Sequence, residues 1–231
     1  VSGRFEAPKG TFDHLPPASG ARAEVERIML EQARLAGYQP IETPIFEDTA
    51  VFARGVGEAT DVVQKEMYTF TDKGGRSLTL RPELTAGIVR ALIEHGRLAG
   101  GLTKVVCSGP QFRYERPQAG RQRQFTQVDI EAMGSNAPAI DADVVLVGDE
   151  VFRRLGIPVT LLLTSLGDAA CRPAYREALL GFLRGLGDRL PAAARARAEQ
   201  NPLRVLDMKD PLVEELTAEA PLMRDFLCGA C

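Results

Sequence analysis

The chain has 231 residues, 45% of them hydrophobic, which is enough to bury at least one sizeable core, and its formal net charge is -3. A mildly negative balance excludes a global nucleic-acid footprint, so any RNA or nucleotide contact has to be local. The apolar runs are too short to span a bilayer and no basic-then-apolar leader is seen, so a cytoplasmic protein without a membrane span is expected.

An irregular lead-in around Lys9-Gly10 gives way to a helix that Ser19 can cap. Its apolar positions Val25, Ile28, Met29 and Ala36 recur at helical spacing and Gly37 stops it. Residues 38–46, from Tyr38 to Phe46, read as extended chain; Pro40 and Pro44 predict an edge or interface segment. Residues 52–61 contain Gly55-Val56-Gly57, but the preceding strand and third glycine of a dinucleotide fingerprint are missing. Met67 to Phe70 and Ser77 to Leu80 alternate around Asp72-Lys73-Gly74-Gly75, which predicts a hairpin.

Arg81-Pro82-Glu83-Leu84-Thr85 then starts a helix, with Pro82 placed to open it and Leu84, Ile88, Val89, Leu92 and Ile93 at helical spacing. Glu83 fits two readings, a carboxylate favoured by the helix N-terminal dipole or a fixed partner for an ammonium group. A strand follows from Lys104, then a hairpin, then an amphipathic helix from Asp141 to Leu155 striped by Val144, Val147 and Val151. Val159 to Leu163 reads as a buried strand. Beyond Gly167 the composition turns Ala-, Arg- and Leu-rich and helical, which places a boundary near residues 165–170. Cys107, Cys171, Cys228 and Cys231 are few and scattered, as in a reducing compartment. The terminal CxxC has no second ligand pair and reads as incidental thiols, so no metal site is expected.

The most informative stretch is residues 112–131, two alternating arms around an arginine-rich loop containing Pro117 and Gly120. Side chains two apart share a face. Arg113 and Glu115 point one way on the first arm, as do Phe125, Gln127, Asp129 and Glu131 on the second. Phe112, Tyr114, Val128, Ile130 and Ala132 form the core side. The plain alternative for the polar face is a solvated face of an antiparallel sheet. The ring of Phe125 beside Arg116, Arg121 and Arg123 favours a nucleotide site, because rings stack on bases and guanidinium forks bind phosphate oxygens in pairs.

These segments carry a resemblance. Leu80-Arg81-Pro82-Glu83-Leu84-Thr85-Ala86, the 112–131 hairpin, the 38–46 segment and Asn201-Pro202-Leu203-Arg204-Val205-Leu206-Asp207 stand in the order found in histidyl-tRNA synthetases, and the chain resembles that family over essentially its whole length. The resemblance implies an α+β class II aminoacyl-tRNA synthetase core, an antiparallel sheet flanked by helices, over residues 1–167. Residues 168–231 would be a helical insertion. It implies a histidine–tRNA ligase that activates histidine with ATP and magnesium, passes it to tRNA(His), and works as a homodimer through residues 38–46. By position, Arg113 and Gln127 would be catalytic, with Arg113 on the α-phosphate and on the histidine carboxylate. Glu115 would take the adenine amino group, Phe125 the adenine ring and Arg121 the outer phosphates. Glu83, Thr85 and Gln127 would bind the substrate ammonium, and Glu131 its imidazole. Leu84 stands where the family usually has glycine and is expected to add bulk beside the amino-acid pocket. Motif 3, the second histidine-specific segment and the anticodon-binding domain are absent, so a fragment with an incomplete site is expected. A regulatory subunit of ATP phosphoribosyltransferase is the alternative.

Overall fold

The structure is a computed structural model describing residues 4–57, 60, 62–229 and 231. It divides into two compact units, Val1–Val159 and Thr160–Cys231.

In the first unit, α1 (Ala18–Leu35) begins one residue before Ser19. The Pro17 carbonyl accepts the N–H groups of Gly20 and Ala21, so Ser19 lies inside the first turn and caps nothing. Gly37, at φ 88°, ends the helix as expected, because the left-handed backbone there suits only glycine well. The face turned inward is centred on Ala33, while Val25 is exposed. Next come β1 (Gln39–Pro40), β2 (Phe46–Asp48) and α2 (Thr49–Val56), the last capped by the Asp48 carboxylate on the Ala50 N–H. Part of the 52–61 region, residues 58, 59 and 61, lies outside the described residues. Gly55 itself sits in α2, where a Cβ would come 2.8 Å from the Ala86 Cβ, so its role there is close packing.

A π-helical turn (Val62–Glu66) leads to β3 (Tyr68–Thr71) and β4 (Ser77–Leu80), the expected hairpin, whose turn is held by Asp72 accepting from the Gly74 and Arg76 N–H groups. Then follow α3 (Thr85–Glu94), β5 (Thr103–Phe112), β6 (Gln124–Met133) and α4 (Pro138–Arg154). The strands form two three-stranded sheets, in the orders β1-β5-β6 and β2-β4-β3. Pairing is antiparallel except for β1 with β5, so the sheet is mixed at the edge carrying Pro40.

Each face of β5 and β6 has its own core. Val106, Val128, Ile130 and Ala132 pack with Ala33, Tyr38 and Val147 from α1, its C-terminal end and α4. Val105 and Cys107, on the opposite face, pack with Leu84, Ile88 and Leu92. Leu84 is fully buried beneath α3 and supplies core volume against Val105 and Cys107, whose cross-strand partners are Glu131 and Asp129.

Residue 81 couples the two sheets. The Arg81 N–H donates to the Ile45 carbonyl and the Arg81 carbonyl accepts from the Phe112 N–H. Its guanidinium, almost fully buried, donates to the Pro110 carbonyl at 3.0 Å and to the Thr43 carbonyl at 3.0 Å. Gly109 makes room for it, since a Cβ there would lie 2.1 Å from Arg81 Nη2.

The expected strand at residues 159–163 does not form. The run has no regular secondary structure, and Leu162 and Leu163 are 83% and 81% exposed. Apolar composition alone cannot distinguish a strand from an extended segment; a strand needs a hydrogen-bonded neighbour.

The second unit is helical, with α5 (Arg172–Gly185), α6 (Ala192–Gln200), α7 (Leu203–Leu206) and α8 (Pro211–Thr217). Its core gathers Tyr175, Leu179, Leu183, Leu190, Val205 and Val213.

The packing at Gly109 gives a direct expectation. Gly109→Ala lowers stability by about 2 kcal/mol, because the methyl group displaces the buried guanidinium. Gly148→Ala, inside α4 with open space around it, raises stability by about 0.5–1 kcal/mol. Urea unfolding of the two variants measures the opposite signs.

Candidate functional site

The ladder between β5 and β6 sets the site. Glu131 stands opposite Val105, Asp129 opposite Cys107, Gln127 opposite Gly109 and Phe125 opposite Gln111, so seven side chains share one face, with a gap at Gly109. The face is apolar where Val105 and Cys107 meet α3 and becomes polar toward the hairpin tip. Arg113 and Glu115 fall beyond the end of β5, although the Arg113 N–H still donates to the Arg123 carbonyl. The chain leaves the ladder there because the tip is anchored elsewhere: the Tyr114 N–H donates to the Glu66 carbonyl and the Arg123 N–H to the Gly10 carbonyl.

The start of α3 meets this face. Thr85 Oγ1 donates to Glu131 Oε1 at 2.6 Å, joining residues 46 positions apart in sequence. Glu83 Oε1 accepts from the Ala86 N–H at 2.8 Å, so the helix-terminus reading of Glu83 holds. Arg113 Nε donates to the Pro82 carbonyl at 2.8 Å and its guanidinium lies 5.2 Å from the Phe125 ring centroid, a cation–π arrangement.

At the tip, Arg121 Nε lies 3.0 Å from Glu115 Oε2. The alignment is poor for a hydrogen bond, and that buried oxygen has charge compensation without a donor. Arg123 covers the Tyr114 ring at 3.9 Å and donates to the Glu115 carbonyl. Arg116 is exposed.

Two residues without an assigned role belong to the face. Burial pushes the Asp129 carboxyl up to about 6; the charges of Glu131 and Glu83 add to the rise and Arg113 opposes it. The period-2 spacing had placed Asp129 between Gln127 and Glu131, but spacing carries no information about desolvation. Gln111 is fully buried, and its Oε1, like that of Gln127, has no hydrogen-bond partner among the described residues. Buried acceptors of this kind are normally satisfied by a ligand or water.

An open cleft of about 1030 Å³ runs between α2 and α3, bordered by Asp48, Arg54, Glu83, Thr85, Arg90 and Glu94. It reaches the α3 side of the site, and the hairpin residues stand outside its border. Glu131 is engaged with Thr85 and Glu83 with the Ala86 N–H, and among the described residues the carboxylates here do not gather into a group that could hold a metal ion.

Comparison with known proteins bears on the same residues. The family model for histidyl-tRNA synthetase matches residues 10–207. A histidine–tRNA ligase from Nocardia farcinica is 60% identical over 225 residues, covering 96% of this chain and 53% of that protein. The chain thus spans about half the length of the curated relatives it matches. The apo histidyl-tRNA synthetase structure from S. aureus superposes with a TM-score of 0.73 at 34% identity, covering 98% of this chain and 51% of that one. A structure described as an ATP phosphoribosyltransferase regulatory subunit/histidyl-tRNA synthetase from Bacillus halodurans has a TM-score of 0.61 at 23% identity, covering 94% of this chain and 56% of that one, a likeness of fold alone.

The raised carboxyl sets a pH dependence. The folded state holds the Asp129 proton more tightly than the unfolded chain, so this contribution to stability is present below about pH 4 and is lost as the pH rises through about 6. Asp129→Asn therefore stabilises the protein at pH 8, by about 1 kcal/mol once solvent screening is allowed for, and the gain disappears below about pH 4. Thermal melts of both proteins across that range test it.

Proposed function

Since the chain belongs to the histidyl-tRNA synthetase family, we propose that it supplies the histidine-binding and ATP-binding walls of a histidine–tRNA ligase. The observation that carries this reading is the Thr85–Glu131 hydrogen bond, which brings the start of α3 and the far end of β6 into one polar face.

Three carboxylates, Glu83, Asp129 and Glu131, crowd a half-buried surface that also offers the unsatisfied Gln127 oxygen. Such a surface suits a ligand carrying an ammonium group and an N–H-bearing ring. In the proposed pose Glu83, Thr85 and Gln127 receive the α-ammonium of histidine and Glu131 receives its imidazole. The ligand's positive charge favours the ionised form of Asp129, so binding draws a proton from it.

Toward the tip, Arg113 is held by the Pro82 carbonyl and stacked near Phe125, which leaves its terminal amino groups for the α-phosphate and the histidine carboxylate. There they stabilise the charge that builds as the carboxylate attacks phosphorus and pyrophosphate departs. Phe125 would stack on adenine and Glu115 would accept from its amino group. Arg121 would hold the outer phosphates, which requires it to leave Glu115. Magnesium, implied by the family, would arrive with the ATP phosphates.

Residues 1–167 would be the catalytic core and 168–231 the insertion; the compact units divide the chain a few residues earlier. Dimerisation through residues 38–46 is supported by β1 and β2 lying at sheet edges. Transfer to tRNA(His) and a cytoplasmic location complete the proposal. No helix among the described residues is long and apolar enough to cross a membrane. The regulatory-subunit alternative is less supported, because the highly identical relatives are named as ligases and the structure described in part as a regulator shares the fold alone.

Calorimetry of the 231-residue chain with histidine tests the site. We expect histidine to bind, alanine to bind at least tenfold more weakly, and Gln127→Ala and Glu131→Gln each to weaken histidine about tenfold. Equal affinity for the two amino acids, or variants that bind histidine unchanged, would refute the assignment.

A further inference from the structure

The second unit gathers a donor set remote in character from the nucleotide hairpin. Asp168, Cys171, Cys228 and Cys231 each offer one ligand atom, and these four atoms all lie within 4.8 Å of one another. The CxxC that reads in isolation as incidental thiols is thus completed by a third cysteine and a carboxylate from the turn before α5. We propose that these four residues form a structural zinc site.

The spacing supports the metal. Around tetrahedral zinc, with Zn–S at about 2.3 Å and Zn–O at about 2.0 Å, sulfurs lie about 3.8 Å apart and sulfur and oxygen about 3.5 Å apart. Cys228 Sγ lies 3.6 Å from Cys231 Sγ, and Cys171 Sγ lies 3.7 Å from Cys231 Sγ. Asp168 Oδ1 is 3.2 Å from Cys171 Sγ and Asp168 Oδ2 is 3.8 Å from Cys228 Sγ. A three-sulfur set selects zinc over magnesium or calcium, which prefer oxygen. Four protein donors close the coordination sphere, which marks a structural rather than a catalytic site.

The surrounding chain holds the donors in place. Asp168 Oδ1 accepts from the Ala170 and Cys171 N–H groups, and the Asp168 N–H donates to Cys171 Sγ at 3.2 Å, a contact that orients the sulfur. Arg172 donates to the Leu166 and Gly167 carbonyls and pins the same turn. Gly167, at φ +63°, is needed for this approach, since a Cβ there would come 2.6 Å from Cys171 Sγ and 2.3 Å from Met223 Cε. Zinc would tie the 228–231 segment to the start of α5, across some 60 residues of sequence.

The test uses the reduced 231-residue chain, stripped with chelator, refilled with zinc and freed of excess metal by gel filtration. We expect one zinc per chain by elemental mass spectrometry, and cobalt substitution to give intense sulfur-to-metal charge-transfer absorption. Cys171 is buried and its loss can unfold the unit, so the main variant is Cys228→Ser/Cys231→Ser, with folding checked by circular dichroism. It should lose the metal and the charge-transfer band while keeping its helices. Asp168→Asn should weaken zinc at least tenfold and shift the visible cobalt bands. Less than a tenth of a zinc per wild-type chain, or a double variant that retains zinc, would overturn the site. An unchanged affinity and cobalt spectrum in Asp168→Asn would overturn the fourth ligand.

Discussion

The arrangement of the first unit depends on one buried cation. Arg81 sits where β4 hands over to the approach to α3, and its backbone and guanidinium together reach the 41–45 segment, the end of β5 and the second sheet. Burying a guanidinium is costly unless it finds acceptors, and here the backbone carbonyls of Pro110 and Thr43 accept from Nε and Nη1. Because each of those carbonyls belongs to a different segment, the same bonds that satisfy the charge also fix where the segments meet. The absence of a side chain at Gly109 is part of the arrangement, and Pro82, next in sequence, is consequently positioned to present its carbonyl to Arg113. The Arg113 guanidinium at the candidate site is thus oriented from the structural one.

A second constraint runs along the β5–β6 face. Core packing under α3 requires apolar side chains at Val105 and Cys107, and the strand period then puts Asp129 and Glu131 directly across from them. The carboxylates cannot retreat from that position without shifting the ladder by one residue, which would turn the whole face over. Their proximity and partial burial are therefore built in by the register, and the Asp129 carboxyl is raised by it. A face that holds several carboxylates close together is the feature on which the proposed ammonium site rests.

Much of this was legible in the sequence because period-2 and period-3.6 patterns report directly on faces. The hairpin faces, the 68–80 hairpin and the stripe of α4 follow from that rule. What was illegible has physical causes. Ser19 is a good capping residue, yet the helix starts earlier because the Pro17 carbonyl already serves its first N–H groups. The 159–163 run has strand composition but no strand beside it to pair with. Leu84 reads as a pocket residue by position in a motif, and only the packing of α3 shows that it is buried in the core. The cysteine cluster is the clearest case, since Asp168 and Cys171 come to the CxxC through the folding of a whole helical unit, which no local spacing encodes.

The two ends of the candidate site differ in how far they are preorganised. At the proposed histidine end, Thr85 and the Ala86 N–H already hold Glu131 and Glu83, so a ligand would meet fixed acceptors with little ordering required. At the ATP end, Glu115 and Arg121 face each other, and the two groups assigned to opposite ends of the nucleotide neutralise one another. Opening that pair costs little, because the arginine is half-exposed and such contacts are weak in water. The buried Glu115 oxygen, compensated but without a donor, gains more from an adenine amino group than from the misaligned guanidinium it has. In the proposed pose, nucleotide binding would release Arg121 toward the phosphates as a consequence of satisfying Glu115, an exchange of partners at the tip rather than a change of fold.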